Sequence, residues 1–95
     1  MKFVVPEYRP DFGVFDPVSY DAIEEELNKD DNIDVVAITT PTYDGLSADI
    51  SKIAKICQKR NIRLLVDGAH GSLFPFHKEI FPEYGIGIEG VDIVV

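Results

Sequence analysis

Residues 33–67, IDVVAITTPTYDGLSADISKIAKICQKRNIRLLVD, decide the fold class of this chain. Ile33 to Thr39 is rich in β-branched residues with little alternation, the pattern of a strand buried on both faces. Pro41 to Gly45 breaks it. From Ser47, the expected N-cap, to Arg60, apolar residues recur at helical spacing: Leu46, Ile50, Ile53, Ala54 and Cys57 lie on one side, with Lys52, Lys55 and Lys59 largely off that stripe. This is an amphipathic helix. Asn61 ends it, and Ile62 to Asp67 is a second apolar strand. Strand, helix, strand in that rhythm is the βαβ crossover of a parallel sheet, which should be right-handed.

Outward from this unit the signals weaken. Met1 to Val5 reads as a short strand stopped by Pro6, followed by a loop rich in Pro, Asp and Gly. Asp16-Pro17 reads as an N-cap with proline at the first helical position, where its missing N–H costs nothing. Ala22, Ile23 and Leu27 carry that helix to Lys29, and residues 28–32 turn. After Asp67 a loop containing Gly71, Pro75, Pro82, Gly85, Gly87 and Gly90 leads to a last strand, Val91 to Val95. Two helices then serve about four strands, although a parallel sheet needs both faces covered. The expected fold class is α/β, a partial three-layer, parallel or mostly parallel sheet with crossover helices, excerpted from a larger domain. The unpaired apolar edge at Val91 to Val95 should draw another copy, so a homo-oligomer is expected.

Composition narrows the function. Ninety-five residues make one domain at most, and a chain of that length buries only roughly 60–65% of its unfolded surface. The mix of 45% hydrophobic and 27% charged residues is that of a globular chain. No apolar run nears the ~20 residues of a membrane span, and the one before Glu7 is too brief for a signal-peptide core. The expected setting is cytoplasmic, with no membrane partner. A net charge of -8 argues against nucleic acid. Much of it sits in Asp21, Glu24, Glu25, Glu26, Asp30 and Asp31, a solvated helix face or an acidic docking surface. Cys57 is alone, so no internal disulfide forms, and no residues carry metal-ligand spacing.

Chemistry in open parallel sheets sits outside the carboxyl ends of the strands. Two such ends carry polar residues here, Thr39 to Gly45 and Asp67 to Gly71. Asp67 directly follows Leu64-Leu65-Val66, so a carboxylate stands where an apolar strand stops. It is either a turn aspartate or a partner for a cation such as a protonated ring nitrogen.

The run TTPTYDGLSADISKIAKICQKRNIRLLVDGAHGSLFPFH, residues 39–77, resembles the Orn/Lys/Arg decarboxylase family of pyridoxal-phosphate enzymes, which have an aminotransferase-like fold. The family shows a T-x-P/S-T-Y-x-G turn, an amphipathic helix, then a hydrophobic strand ending in D-E-A-H/W. Residues 5–39 resemble its upstream strand, glycine-containing loop and acidic helix. GVDIVV, residues 90–95, is similar to the strand before its S-x-H-K lysine motif. The resemblance implies pyridoxal 5'-phosphate as cofactor and places Asp67 at the pyridine nitrogen, Ala69 against the ring, and His70 near the phenolic oxygen. Thr40 matches a residue that reaches that oxygen in related enzymes. Tyr43 either joins them or packs the turn.

Two departures stand out. Gly68 replaces the family's usual Glu, and the Schiff-base lysine is expected beyond GVDIVV, so none of these residues is assigned a catalytic role. His77-Lys78 spells the motif's last dipeptide but precedes GVDIVV, as a loop lysine would. The implied parent activity is decarboxylation of ornithine, lysine or arginine, with residues 1–95 a partial large domain that is inactive without the rest of the enzyme. A free-standing α/β module binding a phosphate-bearing small molecule, or a structural self-associating piece, are the alternatives.

Overall fold

Three parallel strands and two helices carry most of the order, and the helices lie over one face of the sheet. The computed structural model describes residues 1–71, 73–77, 79 and 87–95.

Residues 1–7 form no strand. A hairpin occupies the stretch read as loop, pairing β1 (Tyr8–Arg9) antiparallel with β2 (Val14–Phe15). Its stability is local: the Tyr8 and Phe15 rings meet at 5.1 Å, and Arg9 Nε donates to Asp16 Oδ2 at 2.7 Å. Gly13, at φ 68, makes the turn and donates to the Arg9 carbonyl. Because Arg9 claims the Asp16 carboxylate, the helix cap falls three residues later. Ser19 Oγ accepts from the Ala22 N–H and opens α1 (Tyr20–Lys29). Ile23 and Leu27 are its buried face, and Lys29 pairs with Glu25 and Glu26 in the last turn.

The deciding stretch folds as its pattern requires, with shorter elements. β3 is Val35–Thr39, α2 is Ile50–Lys59 and β4 is Arg63–Asp67. The N-cap of α2 is Asp49, whose Oδ1 accepts from the Lys52 N–H, and not Ser47. At its other end Asn61 takes φ 56, donating to the Gln58 carbonyl while Ile62 donates to that of Cys57. That pair of bonds is the left-handed helix stop asparagine tolerates well. β5 is only Ile93–Val94, and it is held at its start by Asp92, whose Oδ2 accepts from the Leu64 N–H.

The sheet order is β3-β4-β5, parallel throughout, with Val35 opposite Arg63, Thr39 opposite Asp67 and Leu65 opposite Ile93. The core sits between sheet and helices: Ile38, Leu64 and Val66 meet Ile23, Leu27, Ile50, Ile53, Ala54, Ile56 and Cys57. Arg60 ties the helices together by donating to the Leu27 carbonyl. With both helices on that side, β3 is buried on one face only. Val35 is 52% exposed, and Ala37 and Thr39 are exposed beside it. The described residues therefore form two layers.

Candidate functional site

Asp67 and Thr40 stand side by side because β3 and β4 are direct parallel neighbours ending at one edge. The Thr40 N–H donates to the Asp67 carbonyl at 3.0 Å. Strand parity then separates their side chains. Thr40 follows Val36 and Ile38 onto the helix-covered side. It is 0% exposed, and its Oγ1 accepts from the Ala48 N–H at 3.0 Å. Asp67 follows Arg63 and Leu65 onto the open face, where Thr39 is its register partner.

Two tight turns frame this edge. After the cis Thr40–Pro41 peptide, Thr42 and Leu46 close a loop: the Thr42 N–H donates to the Leu46 carbonyl at 2.8 Å, and the Leu46 N–H to Thr42 Oγ1 at 3.1 Å. Tyr43 does not pack this turn; it is 100% exposed at its tip. On β4, the Ala69 N–H donates to Asp67 Oδ1 at 3.2 Å and the Gly71 N–H to the Gly68 carbonyl at 2.8 Å. The Asp67 carboxylate is thus oriented by its own turn, as an Asx motif does. Gly68 is buried, its N–H donating to the Val95 carbonyl, while Ala69 and His70 are exposed.

Chemically this is a half-exposed carboxylate with one oxygen held by a backbone N–H, a small methyl and an imidazole following it. No described basic side chain pairs with Asp67, so its second oxygen has room for an N–H from a ligand. That carboxylate acceptor fits the N–H edge of a protonated pyridine ring. Thr40 contributes its backbone bond, with its hydroxyl engaged behind the sheet. The residue that parity places beside Asp67 is Thr39, which the sequence reading passed over.

His77 is exposed, its N–H closing the short turn Phe74–Phe76; Lys78 lies outside the described residues. Cys57 is buried in the core, and burial, aided by the Asp92 carboxylate, pushes its thiol above the usual range. Among the described residues, no group of three His, Cys, Asp or Glu could hold a metal ion, and no helix is long and apolar enough to cross a membrane.

Comparison with known proteins adds the following. The family model of the Orn/Lys/Arg decarboxylase major domain matches residues 3–93. Over 78 residues, 82% of this chain, it is 32% identical to an arginine decarboxylase of Halalkalibacterium halodurans, 30% to one of Bacillus cereus and 27% to one of Bacillus subtilis. The chain spans 16%, 17% and 16% of their respective lengths. No solved structure gives a significant match.

Proposed function

This chain belongs to the Orn/Lys/Arg decarboxylase family, and on that footing we propose that it forms part of the cofactor site of a decarboxylase acting on a basic amino acid, ornithine, lysine or arginine. The observation that carries the reading is the place of Asp67: the carboxyl end of β4, on the open face, with one carboxylate oxygen that no described residue engages. The cofactor proposed is pyridoxal 5'-phosphate, which when bound supplies an electron-accepting ring for the charge left as carbon dioxide departs.

In this proposal Asp67 accepts the N–H of the ring nitrogen and keeps the proton there, since a nearby negative charge favours the protonated cation. The turn bond from Ala69 holds the carboxylate in place before the ligand arrives. Ala69 offers the ring a small methyl where a larger side chain would crowd it, and His70 faces the phenolic oxygen. Thr40 acts from behind by fixing where β3 ends. The lysine and the phosphate-binding turn belong to other segments, so residues 1–95 are inactive by themselves. A lone thiol buried in the core suits a reducing compartment, and the cytoplasm is the setting proposed.

A chimera tests this. Residues 3–93 replace the matching stretch of the Halalkalibacterium halodurans arginine decarboxylase, and carbon dioxide release is measured with arginine, lysine and ornithine. The chimera should release it from at least one, and Asp67→Ala should remove roughly 100-fold or more of kcat while phosphate contacts preserve most cofactor affinity. A folded chimera that binds cofactor but is inactive on all three, or whose activity survives Asp67→Ala, would refute the reading.

A further inference from the structure

Adjacent threonines end β3, and parity gives them different neighbours. The side-chain hydrogen bonds at this edge go to Thr40 Oγ1, which accepts from Ala48, and to Thr42 Oγ1, which accepts from Leu46. Among the described residues none uses the Thr39 hydroxyl, which stands on the face that Asp67 shares. The register puts Thr39 directly opposite Asp67, and neighbouring strands run roughly 4.8 Å apart. A hydroxyl oxygen one bond past its Cβ and a carboxylate oxygen two bonds past its own close that gap to hydrogen-bonding distance by side-chain rotation alone. Asp67 has room to accept. An ionised carboxylate offers about four lone-pair sites; the Ala69 N–H takes one on Oδ1, and a ring N–H needs only one more.

Thr39 has no other acceptor beside it. A strand brings no carbonyl of a preceding turn within reach of the hydroxyl, as a helix does. The other residues in register on this face are Val35, Ala37, Arg63, Leu65 and Ile93, and none carries a side-chain acceptor. Parallel sheets are ordinarily covered on both faces. Under such a cover the Thr39 hydroxyl loses its water, and a buried polar group without a partner is costly. The carboxylate on the next strand is the partner already in place.

We propose that Thr39 is the positioning residue of this site: its hydroxyl donates to the Asp67 carboxylate and fixes the plane in which that carboxylate meets the ring nitrogen. A single bond from Ala69 leaves the carboxylate free to turn about Cβ–Cγ, and a second bond from the neighbouring strand stops it. The ring nitrogen rests on the decarboxylase reading; the bond between Thr39 and Asp67 does not.

The Halalkalibacterium halodurans chimera tests both. Its crystal structure without cofactor should place Thr39 Oγ1 about 2.5–2.7 Å from an Asp67 carboxylate oxygen. Thr39→Val keeps the shape and removes the donor; it should lower kcat about tenfold, with KM and cofactor affinity little changed, and Thr39→Ser should return to within about twofold of the parent. In an Asp67→Ala background Thr39→Val should have no further effect, because the hydroxyl acts only through that carboxylate. A Thr39 hydroxyl bonded to the covering segment and not to Asp67, valine as active as threonine, serine no better than valine, or a further loss in the Asp67→Ala background would overturn the proposal. Activity that survives Asp67→Ala sinks the cofactor reading instead, and the distance in the cofactor-free structure still decides the Thr39 bond.

Discussion

Thr40→Val separates a structural duty of Thr40 from any duty toward a ligand. The Thr40 side chain is fully buried, and its hydroxyl is the acceptor for the Ala48 N–H just before α2. Valine keeps the shape and removes the acceptor, leaving a part-buried N–H without a partner, which costs about 1–3 kcal/mol. Thr40→Ser keeps the acceptor and deletes one buried methyl, worth roughly 1 kcal/mol with its small cavity. The order of stability should therefore be Thr, then Ser, then Val. For a domain of this size about 1 kcal/mol moves Tm by roughly 4–8 °C, so Thr40→Val should melt about 8–16 °C below the parent for a 2 kcal/mol loss. Urea and thermal unfolding followed by far-ultraviolet circular dichroism measures this, at one protein concentration because association shifts apparent stability. Finding Thr40→Val as stable as the parent would refute the reasoning, since the hydroxyl bond would then contribute nothing.

Two further predictions follow from single contacts. The Cys57 thiol is held above its ordinary value of 9.0 by burial and by Asp92, so its neutral form favours folding; the stability it contributes is complete below pH about 9 and declines above that, as the unfolded chain ionises first. The urea midpoint of the parent should therefore approach that of Cys57→Ala as pH rises from 8 to about 10, and a thiol reagent should react only after unfolding; fast reaction in the folded chain would contradict the burial. At Gly90, φ is +90 and an added Cβ would lie 2.7 Å from Gln58 Cδ, so Gly90→Ala should cost about 1–2 kcal/mol of backbone strain plus a contact penalty. Adding Gln58→Ala should recover the contact part alone, and full recovery in denaturant melts would show that the backbone conformation is not strained for alanine.

The crossover was legible because its spacing has one solution: Ile50, Ile53, Ala54 and Cys57 can share a face only in a helix, and Leu64-Leu65-Val66 before Asp67 has the length of a strand. The helix starts were not, because a cap depends on what else wants the side chain. Asp16 looks as good as Ser19 until Arg9 takes its carboxylate, and the backbone before α2 is already engaged by Thr40, so the cap falls on Asp49 beyond Ser47. The hairpin at 8–15 was hidden by the more apolar run at 1–5, although Gly13 marked its turn. The open face was illegible in principle. Val35 and Ala37 are as apolar as Val36 and Ile38, and a strand apolar at both parities cannot say which of its faces is covered.

That ambiguity also explains why the sequence marks Asp67 at a strand end but leaves open which side chains share its face. Asp67 was visible as the polar stop of an apolar run, but two threonines in sequence, Thr39 and Thr40, offered themselves as its neighbour. Strand periodicity is two, so a slip of one residue exchanges their faces completely. The register is fixed elsewhere: Ile38, Leu64 and Val66 are buried against α2, and the Thr40 hydroxyl is tied to Ala48. Slipping β4 by one residue would drive the Asp67 carboxylate among those apolar side chains, a burial that costs several kcal/mol for an unpaired charge, and would turn Leu64 and Val66 to water. The core pattern therefore sets which face Asp67 presents, and any ligand that uses it must approach from the side the helices leave open.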